Sequence, residues 1–130
     1  PGKPLIFGHR EGVIAFGLPG NPLSHFVCFH LFVRRALNRL TGHPPAATRR
    51  ITVAGGAVLQ PNPRESWWPC HIACGDGGLS AIPLPWRDSS DILALATITG
   101  LLRVPAAGLA TDGLAEVLPI QSSQFFLLLP

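Results

Sequence analysis

The stretch FGLPGNPLSHF, Phe16 to Phe26, places two glycines, two prolines and an asparagine between two apolar runs. Few sequences narrow the options of a backbone so far. A strand running into this stretch ends at Gly17. Pro22 has no backbone N–H to donate, which suits the first position of a helix. Asn21 directly before it is a favoured N-cap. A strand, a sharp corner and a helix are expected in that order. Gly20 tolerates positive φ, so the backbone there is expected to turn sharply and to approach a ligand closely.

The flanking segments extend this pattern. Residues 4–8 and 12–17 read as two short strands joined by the polar turn His9-Arg10-Glu11. The unbroken apolar run Val13 to Phe16 suits a strand buried on both faces. Residues 22–41 read as one helix, with Leu23, Phe26, Val27, His30, Val33, Leu37 and Leu40 at three- and four-residue spacing. Phe29, Leu31 and Phe32 fall on other faces, so the front half should be covered on several sides. Arg34, Arg35 and Arg39 suit the negative end of the helix dipole. Thr41-Gly42 ends the helix, and Pro44-Pro45 stops its continuation.

After the linker-like HPPAAT the character of the chain changes. Strands are expected at 50–59, broken by Gly55-Gly56, at Trp67–Ala73 and at Leu79–Pro83, the last two joined through Gly75-Asp76-Gly77-Gly78. A helical turn over Ser89–Ala96 would be capped by Ser90, with Asp91 favouring its start. Further strands are expected at Gly100–Val104 and Ala115–Leu118, and the tail QSSQFFLLLP as an edge strand. Short strands at about ten-residue intervals suggest a small barrel or sandwich. The fold class is α+β, with a division near residue 46 into 1–45 and 46–130. Two strands and one helix cannot bury their own apolar faces. The first part therefore reads as the remnant of a larger α/β domain, and the chain, which lacks Met, as a piece of something longer.

Composition excludes several functions. The net charge is +3 and only 13% of residues are charged. The pairs Arg34-Arg35 and Arg49-Arg50 form no basic stripe, so no nucleic-acid partner is expected. No apolar run reaches the ~18 residues of a membrane span. Three cysteines, an odd number, argue against a disulfide framework and for a reduced, cytoplasmic setting. Cys70 and Cys74, with His71 between, lack both the usual zinc spacing and a second ligand pair, so no metal site is assigned. The five histidines His9, His25, His30, His43 and His71 form no constellation. Glu11, Glu65, Asp76, Asp88, Asp91, Asp112 and Glu116 form no evident carboxylate pair, and no catalytic residue is assigned.

The corner is the chemical candidate. The first turn of a helix presents N–H groups without internal partners, and the helix dipole reinforces them. Together they make an anion site. Pro22 removes one donor and Ser24 adds a hydroxyl. The carboxyl end of a sheet strand is also where open α/β sheets bind ligands. A tight turn with an asparagine cap uses the same residues and stays open as the plainer alternative. The stretch is neither GxGxxG nor a phosphate loop of the GK[ST] kind.

FGLPGNPLS before an apolar helix, the upstream PGKP of Pro1–Pro4 and the helix end LTGHP resemble the molybdopterin molybdenumtransferase family, which includes the enzymatic domain of gephyrin. The resemblance spans the chain and is carried mainly by residues 1–43. It implies the end of an α/β molybdopterin-binding domain followed by a small C-terminal β domain. It implies insertion of molybdate into adenylylated molybdopterin with Mg²⁺, releasing AMP, in an elongated homodimer. By the same resemblance Lys3, Pro19, Gly20, Asn21, Pro22 and Ser24 are substrate-binding residues. Arg64 stands at a family arginine, and Pro69 where a second is expected. The carboxylates that hold Mg²⁺ fall elsewhere in the family's chain, so these 130 residues alone are expected to be inactive. The alternative is a structural or partner-docking module without catalysis. The Phe26–Phe29 face is expected at a subunit or domain contact.

Overall fold

The computed structural model describes residues 5–54, 59, 62–85, 92–109 and 113–120. Strands β1 (Ile6–Arg10) and β2 (Val13–Gly17) form an antiparallel hairpin in which Ile6 faces Gly17 and Arg10 faces Val13. The loop is the pair Glu11-Gly12, at φ 50° and 81°. Two left-handed residues give a turn whose twist matches that of the strands. His9 and Arg10, expected in the turn, therefore belong to β1, because Gly12 and not the charged residues makes the reversal easy. β2 is not buried on both faces: Val13 is 67% exposed, and Phe7 of β1, which faces Phe16, is 63% exposed. The rings of Phe7 and Phe16 pack with centroids 5.3 Å apart.

The single helix expected over 22–41 is a composite. Helix α1 (Pro22–Cys28) passes through a π-helical turn (Phe29–Val33) into α2 (Arg34–Leu40). The Arg34 amide donates to the Phe29 carbonyl, five residues back. The wider turn accommodates a cluster of rings. His30 lies 4.6 Å from Phe26 and 5.4 Å from Phe29, centroid to centroid. The C-terminus closes as the sequence indicates. Gly42 takes φ 75°, the His43 amide donates to Asn38 O at 2.8 Å and the Gly42 amide to Arg39 O at 3.3 Å. This reciprocal pair satisfies carbonyls that the helix leaves open.

Five strands close a barrel in the order β3 (Arg49–Val53), β5 (Gly78–Pro83), β4 (Ser66–Gly75), β6 (Gly100–Val104), β7 (Leu114–Pro119). β7 pairs antiparallel with β3, Ile51 against Ala115, and β3 pairs parallel with β5, Thr52 against Ser80. β4 and β5 form a hairpin across Asp76-Gly77, with Gly78 at φ 93°. Alternation sends Ile51, Cys70, Ala81, Leu102, Val104, Ala115 and Val117 into the core. Helix α3 (Ile92–Ala96) falls within the expected helical turn. Its expected cap Ser90 with Asp91, the Gly55-Gly56 bend and the tail 121–130 lie outside the described residues.

The molecule is thus α+β, and its backbone divides into two compact units, Pro1–Pro45 with Arg87–Leu93 and Ala46–Trp86 with Ala94–Pro130. Thr99 ties the barrel strands together. Its hydroxyl accepts from the Ile72 amide at 2.7 Å, and its carbonyl from the Ile120 amide at 3.0 Å. The Trp68 indole N–H donates to Leu84 O at 2.9 Å, so the polar edge of this half-buried ring has a partner. Among the described residues no helix is long and apolar enough to cross a membrane.

Gly100 sits where β6 meets both neighbours. A Cβ there would stand 2.9 Å from Ile72 Cδ1 and 3.0 Å from Val117 Cγ1. Gly100→Ala is expected to cost about 1–3 kcal/mol by overpacking. Shortening the flexible neighbour in the double variant Gly100→Ala/Ile72→Val should recover part of that loss. Urea unfolding of the two variants measures both effects.

Candidate functional site

The corner between β2 and α1 has the caps that its sequence promises. Asn21 is extended, at φ −70° and ψ 126°, and its Oδ1 accepts the Ser24 amide at 3.1 Å. Its carbonyl accepts the His25 amide at 2.8 Å. Pro22 occupies the first helical position and has no donor to satisfy. In the first turn this leaves the Leu23 amide without an intrahelical acceptor. The donors left at the corner are therefore few: one helical amide, with the corner's own backbone beside it.

The expected site residues divide in the structure. Gly20 and Asn21 are exposed, Pro22 is half-buried, and Pro19 and Ser24 are buried. Ser24 is only 4% exposed, so its hydroxyl is part of the packing and not of an open surface. Gly20 does not adopt positive φ. The freedom that glycine offers is not used here, because the reversal is shared with Pro19 and the extended Asn21. A Cβ at Gly20 would meet nothing within 4 Å, so the corner is open on that side. Lys3 lies outside the described residues.

Behind the corner, His30 is held neutral. Burial, with the Arg34 charge adding to it, pushes its pKa down to about 4. The nearest guanidinium nitrogen, Arg34 Nη1, lies 3.5 Å from His30 Nδ1. His25 at the front of the helix is exposed and has no carboxylate beside it among the described residues. No nucleophile–base pair is assembled there.

The barrel carries a cluster that sequence separation hid. Arg103 Nη1 donates to Glu116 Oε2 and Arg103 Nη2 to Glu65 Oε2, both at 2.7 Å. Glu65 and Glu116 are thus brought together on one guanidinium, against the expectation that no carboxylates pair. The Arg103 contact holds the Glu65 carboxyl below the usual carboxylate range, against a smaller opposing effect of burial. Beside this cluster lies a hollow of about 260 Å³, lined by Arg50, Pro105, Leu109 and Leu114. The signal available in sequence was only strand alternation, which puts Arg103 and Glu116 on the outer faces of β6 and β7.

Metal chemistry finds no site in these elements. Among the described residues no three His, Cys, Asp or Glu side chains come together as ligands. Cys70 is fully buried, and burial pushes its thiol up to about 12. A buried thiol of that kind is inert at neutral pH. Cys74, four residues on, is exposed, so the pair does not act as one site.

An open, proline-entered helix corner on one unit and a five-stranded barrel in the other define a class of two-part α+β chains. No family model matches the sequence. Curated relatives do match it. A molybdopterin molybdenumtransferase from Synechocystis is 33% identical over 109 residues, covering 81% of this chain and 25% of the relative. The Drosophila melanogaster molybdenum cofactor synthesis protein cinnamon is 52% identical over 42 residues, 32% of this chain and 7% of that protein. A crystal structure of a molybdopterin biosynthesis MoeA protein from Pyrococcus horikoshii superposes with a TM-score of 0.71 at 25% identity, over 95% of this chain and 30% of that one. The chain belongs to the molybdopterin molybdenumtransferase family. It spans about a quarter of the length of the Synechocystis relative and under a third of the Pyrococcus chain.

Two outcomes follow from this geometry. Asn21→Ala removes the Ser24 cap and should cost about 1 kcal/mol, whereas Asn21→Ser should cost a few tenths, read by thermal unfolding. Between the unfolded His pKa of 6.5 and the folded value of about 4, the unfolded chain binds more protons. The fold should therefore lose stability as pH falls through that window, and lose no more from this group below it. NMR titration of the His30 ring, compared with His30→Gln, separates this contribution from the others.

Proposed function

We propose that this chain forms the C-terminal part of a molybdopterin molybdenumtransferase. It would contribute one corner of the site at which molybdate is inserted into adenylylated molybdopterin, with release of AMP. The observation that carries this reading is the open corner at Gly20–Pro22, set by an asparagine cap in a chain of this family. Its helical amide and the helix dipole favour an oxyanion or phosphate. Lys3, in the PGKP run, would add a cation to that anion. Pro19 and Pro22 fix the backbone that presents the amides, and buried Ser24 supports it from behind.

Mg²⁺ belongs to the reaction as read here, but the described residues do not fit it. They offer no cluster of carboxylates for a divalent cation. No step through the metal is assigned to them. The barrel is an accessory domain in this reading, the whole protein works as a cytoplasmic homodimer, and residues 1–45 and 46–130 are its two domain segments. A chain with one corner of the site binds part of a substrate and does not complete the transfer alone.

Asn21→Asp separates an anion site from a simple cap. Aspartate caps a helix as well as asparagine does. It also puts a carboxylate where the substrate anion would sit. The test replaces the matching stretch of the Synechocystis relative with this chain and measures cofactor formed from molybdate and adenylylated molybdopterin. The chimaera is expected to be active, and Asn21→Asp to lower the rate about tenfold or more, with unfolding unchanged. Full activity of the Asn21→Asp chimaera would sink the anion-site assignment. A folded but inactive chimaera would favour a docking module.

A further inference from the structure

The reversal between β4 and β5 is the pair Asp76-Gly77, exposed together with the residues on either side of it. Gly75 and Gly78 pair across it. The residue that takes the left-handed conformation is Gly78, at φ 93°, and Gly77 takes no positive φ. Gly77 is therefore not the glycine that the geometry of the turn requires. A Cβ built on it would meet nothing within 4 Å.

Aspartate is an ordinary turn residue because its side chain accepts from backbone amides close by. Asp76 does not use that capacity. Among the described residues no hydrogen bond or ion pair engages its carboxyl, and none engages the Gly77 amide. A carboxyl and the backbone nitrogen that follows it thus stand side by side in water, neither committed to a partner. Gly77 has no side chain to shield that nitrogen.

We propose that Asp76-Gly77 is a site of spontaneous backbone modification, at which Asp76 converts to isoaspartate through a cyclic imide. The Gly77 nitrogen attacks Asp76 Cγ. The new N–Cγ bond replaces the N–H bond and one Cγ–O bond, and the proton and hydroxyl leave as water. Solvent water then adds at the main-chain carbonyl carbon of Asp76 and breaks its bond to the Gly77 nitrogen. The chain now runs through Cβ and Cγ, and the former main-chain carbonyl carbon carries the free carboxylate. Water lost equals water gained, so mass and charge are unchanged. The main chain gains one atom inside a tight reversal. That atom loosens the Gly75–Gly78 pair at the tip and leaves Cys70–Pro83, at the far end of the ladder, in place.

The test keeps the full chain in warm neutral buffer, samples it over weeks and follows the digested Asp76 peptide by liquid chromatography and mass spectrometry. A second peak of the same mass is expected, which resists the protease that cuts before aspartate and accepts a methyl group from an isoaspartyl methyltransferase. Gly77→Ala, which the open space and the φ of Gly77 both permit, should slow its appearance severalfold. A synthetic peptide spanning Cys74–Leu79 supplies the reference rate, and the folded chain should react within severalfold of it, because the fold ties up neither group. An Asp76 peptide that stays a single species in the folded chain while the synthetic peptide isomerises overturns the proposal. So does a folded Gly77→Ala variant that isomerises as fast as the parent.

Discussion

Backbone groups that leave water must find partners, and that constraint organises both units of this protein. In the first unit it acts at the two ends of one helix. Pro22 removes a donor that would otherwise need an acceptor, Asn21 takes the Ser24 amide, and Gly42 turns the chain so that two amides return to open carbonyls. In the second unit it acts at the edges of a sheet. Pairing β3 with both β5 and β7 closes the barrel and leaves no open edge among its five strands. Satisfied ends of this kind let a short helix and five short strands hold fixed positions.

The same constraint sets the character of the candidate site. A corner whose caps consume the neighbouring donors has few left to offer. What remains is directional: an amide at the positive end of the helix, an open space beside Gly20, and rigid prolines on either side. Such a corner offers few groups for bond making. The chain spans a quarter of the length of its Synechocystis relative.

Local chemistry was legible in the sequence, and long-range partnership was not. Asn21-Pro22 and Thr41-Gly42 mark the helix because each acts on its own immediate backbone. Gly100–Val104 reads correctly as a strand because a short apolar run followed by the turn-rich PAAG suits a buried strand. The π-helical turn leaves no mark in the sequence, since apolar spacing over Phe26, Phe29 and His30 fits one helix face or another without showing an extra residue. The positive φ that Gly20 tolerates is not used, because Pro19 and the extended Asn21 share the reversal. Glu65 and Arg103 are 38 residues apart, and Arg103 and Glu116 are 13 apart, so only barrel closure reveals that they meet. The burial of Ser24 is not legible for a related reason: whether a polar group at a helix start faces outward depends on what packs against that turn.

Closure between β3 and β7 also has a consequence in time. β3 lies at residues 49–53 and its antiparallel partner at 114–119, so the first strand of the barrel waits for the last. Contacts so distant along the chain form slowly, because a long loop must be brought together before any bond rewards it. On a ribosome, β3 emerges with one side unpaired and stays so until β7 has been synthesised. Arg49 and Arg50, two adjacent positive charges on that waiting strand, would discourage it from pairing with a second nascent copy.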